Sequence, residues 1–190
     1  QTCALPIFPG LLVRLRDRSV RADVAYGGAF YAIVDAESTG IPLDAAHLPE
    51  LARAGADIAA AVAAAVPVAH PADPRLGGVT GTVFTGPPVR PDASLRAVTV
   101  SAGGVVQRSA GATATAAVMA VVDAMGLLDE AAPFLHESLL GDVLEGRVAG
   151  RARVGEQAAL VPAIDASVWV VGEHTFVLDD ADPHRYGFRL

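Results

Sequence analysis

A loop of small residues that leads directly into an apolar helix is the feature that most constrains how this chain folds. The loop covers residues 107–117, and the apolar run Val118–Met125 after it ends at Gly126. The first backbone N–H groups of a helix have no partner within the helix and carry partial positive charge, so a carboxylate or phosphate can bind there. The loop contains no Cys, His, Asp, Glu or Lys. The sequence therefore predicts an anion-binding helix start that lacks a general base of its own.

Composition and charge limit the partners that this chain is expected to bind. It has 190 residues, of which 52% are hydrophobic and 5% aromatic, as is typical of a folded α/β or α+β protein. The net charge is −7, and the 14 basic residues are all Arg and form no basic stripe, so nucleic acid is not expected as a partner. The longest apolar run, Ile58–Val68, is too short to cross a bilayer and contains Pro67. We therefore expect no membrane span and a cytoplasmic location.

Cysteine and histidine usage argues against a metal centre. The chain has a single Cys, which excludes an internal disulfide and a cysteine-based metal cluster. The five His residues show no ligand spacing such as His-x3-His. No metal site is predicted.

The first seven residues have an unusual composition for the start of a domain. Residues 1–7, QTCALPI, correspond to the translation of a common sequencing-adapter oligonucleotide. The interpretation is that they are an artefact at the start of a truncated gene, in which case Cys3 is not native and the native sequence begins at residue 8. An ordinary apolar strand is the alternative interpretation.

Turn residues and apolar runs predict an α+β fold. A hairpin is expected from two strands separated by Gly27–Gly28. One helix is expected to begin at Asp44 or Pro49 and to end at Val66, before Pro67, and a second to cover Gly111–Met125. The segment from His70 to Pro74 is predicted to be a loop. The predicted strands are Leu11–Arg16, Val20–Tyr26, Phe30–Asp35, Gly81–Thr85, Leu95–Ser101, Val143–Val148, Arg151–Val154, Ala158–Val161, Ser167–Gly172 and Thr175–Leu178.

Several motifs in a fixed order resemble one protein family. Residues 23–36, with the sequence DVAYGGAFYAIVDA, closely resemble a signature of the proline racemase family. That family includes proline racemase, 4-hydroxyproline 2-epimerase and trans-3-hydroxy-L-proline dehydratase. The resemblance covers residues 20–190. The further matching segments are Gly81–Pro87, Arg108–Ser109, Phe134–Ser138, Gly146–Val148, Val161–Pro162 and Asp179–Phe188.

The resemblance implies a fold and a site. It implies two halves similar to those of diaminopimelate epimerase, each with curved antiparallel strands around a central helix, and an active site between them. In each half, a helix start binds the carboxylate of proline or a hydroxyproline, and a Cys there acts as acid or base without any cofactor. Residues 8–190 resemble the second half only, so the first half and its Cys are expected upstream. The resemblance is also compatible with a homodimer.

The loop at the second helix departs from the family pattern. Where the family usually has DRSPCGTGTSA, this chain has QRSAGATATAA over residues 107–117. Gln107 therefore replaces an aspartate that contacts the substrate, Gly111 replaces the Cys, and Ala112 replaces a Gly. Gly111 has no side chain that could carry a proton, so this chain has no catalytic residue of its own. We expect the backbone N–H groups of Ala112 and Thr113 to bind the substrate carboxylate.

Other side chains of the expected site have two interpretations. Gln107 is either a substrate contact or an ordinary loop residue, and Thr113 and Thr115 either donate to a carboxylate or cap the helix. Gly81 stands where the family's epimerases usually have His, so it is a further candidate for the substrate-binding set. We interpret the sequence His-Glu-Ser at residues 136–138 as structural hydrogen bonding, because no nucleophile accompanies it.

Loss of the second Cys favours dehydration over racemisation. A racemase must deliver a proton to the opposite face of Cα, whereas a dehydratase needs one base and a leaving hydroxyl group. Dehydratases of the family typically carry Thr or Ser at the Cys position, and Gly111 fits neither pattern. The favoured function is that of trans-3-hydroxy-L-proline dehydratase. Proline racemase or 4-hydroxyproline 2-epimerase activity, and a non-catalytic amino-acid-binding protein, are the alternatives.

Overall fold

The computed structural model describes residues 3–16 and 18–187. These residues form ten strands, three α-helices and one short 3-10 helix at Ala45–His47. The strands are β1 (Leu5–Arg14), β2 (Ser19–Tyr26), β3 (Phe30–Asp35), β4 (Ala69–His70), β5 (Asp73–Gly77), β6 (Gly81–Gly86), β7 (Leu95–Ser101), β8 (Phe134–Ser138), β9 (Val143–Val154) and β10 (Gln157–Asp165). The helices are α1 (Ala36–Thr39), α2 (Leu48–Ala65) and α3 (Ala112–Ala124).

One sheet of eight strands forms most of the described structure. Its strand order is β1-β2-β3-β6-β7-β8-β9-β10, and its pairs are antiparallel except for β3–β6 and β7–β8. The two ends of the sheet meet, because Ala4 and Leu160 exchange two backbone hydrogen bonds of 2.8 Å each. The sheet therefore curves until its first and last strands touch, and it encloses α3.

Helix α3 is the central helix that the sequence predicted. Every residue from Ala114 to Val121 is buried, and the helix packs against β1, β2, β3, β9 and β10. A helix that is apolar on all sides is stable only when it is surrounded, and this sequence of Ala, Val and Met meets that condition. The α+β fold with a curved, mostly antiparallel sheet around a central helix is confirmed.

Helix α2 covers the outer face of the same sheet. Asp44 caps the preceding turn by accepting hydrogen bonds from the N–H groups of Ala46 and His47, and Pro67 ends the helix, since proline cannot continue it. The buried face of α2 packs against β6 and β7. Gly55 makes this close approach possible, because a Cβ atom there would lie 2.7 Å from Val100 Cβ. The structure thus has two apolar layers, one on each face of the sheet.

The strand predictions after α3 are partly wrong. The predicted strands Val143–Val148 and Arg151–Val154 are one continuous strand, β9. Ser167–Gly172 and Thr175–Leu178 form no strand in the described structure. Strand β10 pairs with β9 on one side and contacts Ala4 on the other, and residues 166–178 pair with no strand. The segment from His70 to Pro74, predicted to be a loop, belongs to the ribbon of β4 and β5.

The first strand begins earlier than the sequence predicted. It covers Leu5–Arg14 rather than Leu11–Arg16, and both Ala4 and Leu5 are buried. The adapter origin of residues 1–7 stays a prediction, since packing does not reveal where a segment comes from. The predictions for residues 1–2 and for the motif end at Phe188 lie outside the described residues. Among the described helices, none is both long and apolar enough to cross a bilayer.

Candidate functional site

The start of α3 is an uncapped helix end at the surface. Gly111 is its N-cap residue and has a φ of +83°, a conformation that L side chains rarely adopt. No side chain caps this helix, while Ala112 and Thr113 are exposed. The geometry leaves the N–H groups of the first turn available to an anion, as the sequence predicted for a helix start.

A buried threonine fixes the loop that leads into this helix. The N–H group of Gln107 donates to the carbonyl oxygen of Thr99 at 2.8 Å. The Thr99 hydroxyl donates to the carbonyl oxygen of Ala110 at 2.7 Å. Both ends of residues 107–110 are therefore attached to one fully buried residue of β7. The sequence placed Thr99 only within the predicted strand Leu95–Ser101 and gave no sign of this role.

The turn between β2 and β3 lies directly against the first turns of α3. A Cβ atom on Gly27 would lie 2.2 Å from the carbonyl oxygen of Thr113 and 2.4 Å from the amide nitrogen of Ala117. Tyr31, which is 4% exposed, hydrogen-bonds Thr113 Oγ1 through its hydroxyl at 2.8 Å. The residues 23–36 and the loop at 107–117 thus meet in space. Tyr31 was not predicted to have a role, although it lies in the motif that carried the resemblance.

The two threonines of the first turn have different environments. Thr115 is fully buried, and its hydroxyl hydrogen-bonds His136 Nδ1 at 2.8 Å. Its predicted roles as a helix cap or a carboxylate donor are therefore wrong, because the hydroxyl faces the core. Thr113 does not cap the helix either, while its exposed position keeps it a candidate for substrate binding.

The residues 136–138 have the structural role that the sequence predicted. Burial lowers the pKa of His136 to about 4, so the imidazole is neutral near pH 7. Glu137 accepts hydrogen bonds from the N–H groups of Val89 at 2.8 Å and Arg90 at 3.2 Å. Ser138 Oγ accepts from the N–H of Leu140. Each of these side chains thus bonds within the protein interior or to a neighbouring loop.

Gln107 and Gly111 face each other across the loop. A Cβ atom built on Gly111 would lie 3.1 Å from Gln107 Oε1. The carboxamide therefore stands beside the position from which a side chain at residue 111 would project. A side chain at this residue would also have to adopt the φ of +83°. This backbone conformation favours glycine, and a side chain at residue 111 would be strained in it.

Gly81 lies one strand away from the loop. It is the first residue of β6, where it pairs with Tyr31 on one side and Ser101 on the other. A Cβ atom there would lie 2.2 Å from the carbonyl oxygen of Val100, so the packing of the sheet accounts for the glycine. A contact of Gly81 with substrate stays a prediction.

Two surface depressions flank the helix start. One, of about 410 Å³, has Arg108, Ser109 and Trp169 among its lining residues, and the Nε of Arg108 lies 3.7 Å from Asp142 Oδ2. The other, of about 400 Å³, is lined in part by the glycines of the β2–β3 turn and the first residues of α3. Neither is lined by Gln107 or Gly111. Within residues 3–16 and 18–187, no group of three or more His, Cys, Asp or Glu side chains could hold a metal ion.

Comparison with known proteins identifies the family to which this chain belongs. The sequence profile of the family described as Proline racemase matches residues 15–189. The chain belongs to the proline racemase family. The matched range includes both the β2–β3 turn and the start of α3, which lie against each other in the structure.

Relatives within the proline racemase family have more than one name. A trans-3-hydroxy-L-proline dehydratase of Bacillus cereus is 33% identical over 178 residues, which are 94% of this chain and 53% of that protein. A 3-hydroxyproline 2-epimerase of Burkholderia multivorans is 34% identical over 170 residues, 90% of this chain and 51% of that protein. The chain therefore spans about half the length of these relatives.

A solved structure of the family has the same fold. It is a hydroxyproline epimerase from Agrobacterium vitis with bound trans-4-hydroxy-L-proline, and it is 28% identical to this chain. The two superpose with a TM-score of 0.86 over 99% of this chain and 54% of that one.

Proposed function

We propose that this chain is the second half of an enzyme that acts at Cα of a hydroxyproline, with dehydration of trans-3-hydroxy-L-proline as its reaction. The observation that carries the proposal is Gly111, which the motif comparison aligns with the family's second Cys and which has no side chain to carry a proton. A helix start that binds carboxylate without a base suits chemistry in which one base, from elsewhere, works on a single face of Cα. The name of the Bacillus cereus relative supports this reaction.

The reaction needs one base and one leaving group. A thiolate of the first half removes the Cα proton, and the electron pair of that bond forms a double bond to C3. The C3–O bond breaks, and the leaving hydroxide takes up a proton, which in the net reaction is the one that the thiolate removed, and departs as water. The enamine product tautomerises to Δ1-pyrroline-2-carboxylate. The N–H groups at the start of α3 hold the carboxylate during this sequence and stabilise the charge that develops on it.

The test of this proposal is an assay of the full-length protein in deuterated water. With trans-3-hydroxy-L-proline we expect Δ1-pyrroline-2-carboxylate, and with L-proline we expect no D-proline, both followed by NMR. The matched control replaces the Cys expected in the first half with Ser, which should abolish dehydration. Formation of D-proline with deuterium at Cα would contradict the single-base mechanism. Binding of the imino acid without any reaction would favour a non-catalytic amino-acid-binding protein instead.

We also propose that the tail of this chain packs against the first half. Residues 168–171 and 176–178 have a strand-like apolar sequence, yet Val170 is 90% and Phe176 is 94% exposed. Apolar side chains in such numbers are rarely left exposed in a folded protein. The relatives are about twice as long as this chain, so the missing length offers a partner for the tail. A cytoplasmic location and a homodimer stay predictions.

Trp169 offers a direct measurement of this packing, because it is the only Trp in the chain and is 72% exposed. In the full-length protein we expect its fluorescence to shift to shorter wavelength and to be quenched less by acrylamide than in residues 1–190 alone. A Trp169→Phe variant of the full-length protein serves as the control that subtracts any other Trp. Equal quenching of Trp169 in the two proteins would show that the first half does not cover the tail.

A further inference from the structure

We propose that a cavity at the point where β6 ends and β7 begins binds a free amino acid with an apolar side chain. The cavity has a volume of about 480 Å³, and two loops at residues 40–43 and 86–89 line it together with Glu37 and Arg96. It shares no residue with the loop at 107–117, which follows the other end of β7. This inference goes beyond the proposed function, because it concerns a second site with a ligand of its own.

Arg96 gives the cavity a half-buried positive charge. Its two terminal nitrogens donate to the carbonyl oxygens of Leu43 and Leu139, each at 2.9 Å. Within the described residues its buried Nε has no hydrogen-bond partner, and no carboxylate forms an ion pair with it. Glu137, beside Arg96 on β8, accepts instead from the N–H groups of residues 89–90. Because a guanidinium has five N–H groups, Arg96 retains donors for a ligand, and a carboxylate matches them best.

Glu37 gives the same cavity a negative charge. It is exposed, and in the part of the chain that the structure describes its carboxylate has no hydrogen bond or ion pair. Its backbone is held on both sides, since its N–H donates to Asp35 Oδ1 at 3.1 Å and its carbonyl oxygen accepts from the N–H of Gly40 at 3.0 Å. A cation and an anion that line one cavity suit a ligand that carries both charges, as the carboxylate and ammonium groups of a free amino acid do.

The other residues that line the cavity are apolar. Three of them are prolines, which have no N–H group, and Ile41 is buried at its base. Gly86 lets the two loops approach each other, because a Cβ atom there would lie 3.0 Å from Leu43 Cδ1. Apolar walls with a few polar groups are typical of pockets for small molecules, and the volume lies within their usual range. The ligand that fits these walls and both charges is an amino acid such as L-leucine.

The test is titration calorimetry of the full-length protein with L-leucine and two analogues. L-leucinamide lacks the carboxylate, and 4-methylpentanoate lacks the amino group, so we expect each to bind at least about ten-fold more weakly than L-leucine. Glu37→Gln should weaken the binding of L-leucine about ten-fold and that of 4-methylpentanoate less than two-fold, because only L-leucine has an ammonium group to lose a partner. The matched control, Glu156→Gln in the exposed turn between β9 and β10, should change neither constant.

The comparison of ligands takes the place of an Arg96 variant, which could fail to fold because Arg96 holds two loops together. If L-leucine does not bind, or binds no more tightly than L-leucinamide, the inference is overturned. It is also overturned if Glu37→Gln leaves the binding of L-leucine unchanged, or weakens L-leucine and 4-methylpentanoate equally. Neither result bears on dehydration, so the proposed function is tested separately.

Discussion

Replacement of Gly27 by Ala is expected to lower the free energy of unfolding by about 3 kcal/mol, which corresponds to a fall of roughly 10 °C in melting temperature. The added methyl group would stand 2.2 Å from the carbonyl oxygen of Thr113 and 2.4 Å from the amide nitrogen of Ala117. Both are backbone atoms of α3, so no side-chain rotation relieves the overlap. Either the β2–β3 turn or the whole buried helix must move.

Gly103 supplies a matched control for this substitution. It also lies in a turn, but a Cβ atom there would have only Ser101 Oγ nearby, at 3.8 Å, and its φ is not in the left-handed region. We expect Gly103→Ala to change the free energy of unfolding by less than about 0.5 kcal/mol. Urea unfolding of the two variants, followed by circular dichroism, compares them directly. Equal stabilities would mean that the turn does not touch α3 as described.

The contact between Gly27 and α3 also affects the proposed binding site. The backbone of Gly27 presses on the first turns of α3, and Tyr31 hydrogen-bonds Thr113 from the adjoining strand. Any shift of the β2–β3 turn therefore moves the N–H groups that are expected to hold the carboxylate. In the full-length protein, Gly27→Ala should weaken ligand binding even under conditions where the variant remains folded.

Local signals predicted most of the fold. Turn residues, apolar periodicity and proline predicted the hairpin of β2 and β3, the strand β7 and the two long helices. Each of these signals acts over a few neighbouring positions. The tail shows where such signals fail. Its apolar segments resemble strands, yet a strand also needs a partner strand, and residues 166–178 pair with none in the described structure. Strand pairing joins distant parts of the chain and has no local signature.

The candidate site was predictable in its loop but not in its supports. The spacing of small residues indicated the helix start, and the comparison of motifs located Gly111 within it. The side chains that hold the loop were missed, because Tyr31 and Thr113 are 82 positions apart in the sequence. Thr115 was expected to cap the helix or to donate to a carboxylate, whereas its hydroxyl lies in the core and hydrogen-bonds His136. Which face of a helix start is buried depends on the packing around it.

Acidification below pH 6.5 should destabilise the protein through His136, by about 3 kcal/mol at pH 4. Burial lowers the pKa of this histidine from 6.5 to about 4 in the folded state, while the unfolded chain keeps the ordinary value. Between these two values the unfolded state binds more protons than the folded state. The free energy of unfolding therefore rises with pH across this window, by about 1.4 kcal/mol per pH unit, and the stabilisation is complete above pH 6.5.

A comparison of two variants isolates this effect from other acid-sensitive groups. Carboxylates with a lowered pKa, such as Asp44 and Asp73, lose their contribution at lower pH, below the ordinary value of 3.8. His136→Gln removes the titrating group, so its urea-unfolding free energy should be nearly flat between pH 4.5 and 6.5. His174→Gln, which replaces an exposed histidine of the tail, should retain the slope of the parent protein. If His136→Gln kept the slope of the parent protein, the slope would belong to another titrating group.

Because His136 bonds Thr115 in the first turn of α3, protonation of His136 should also weaken ligand binding over the same pH range.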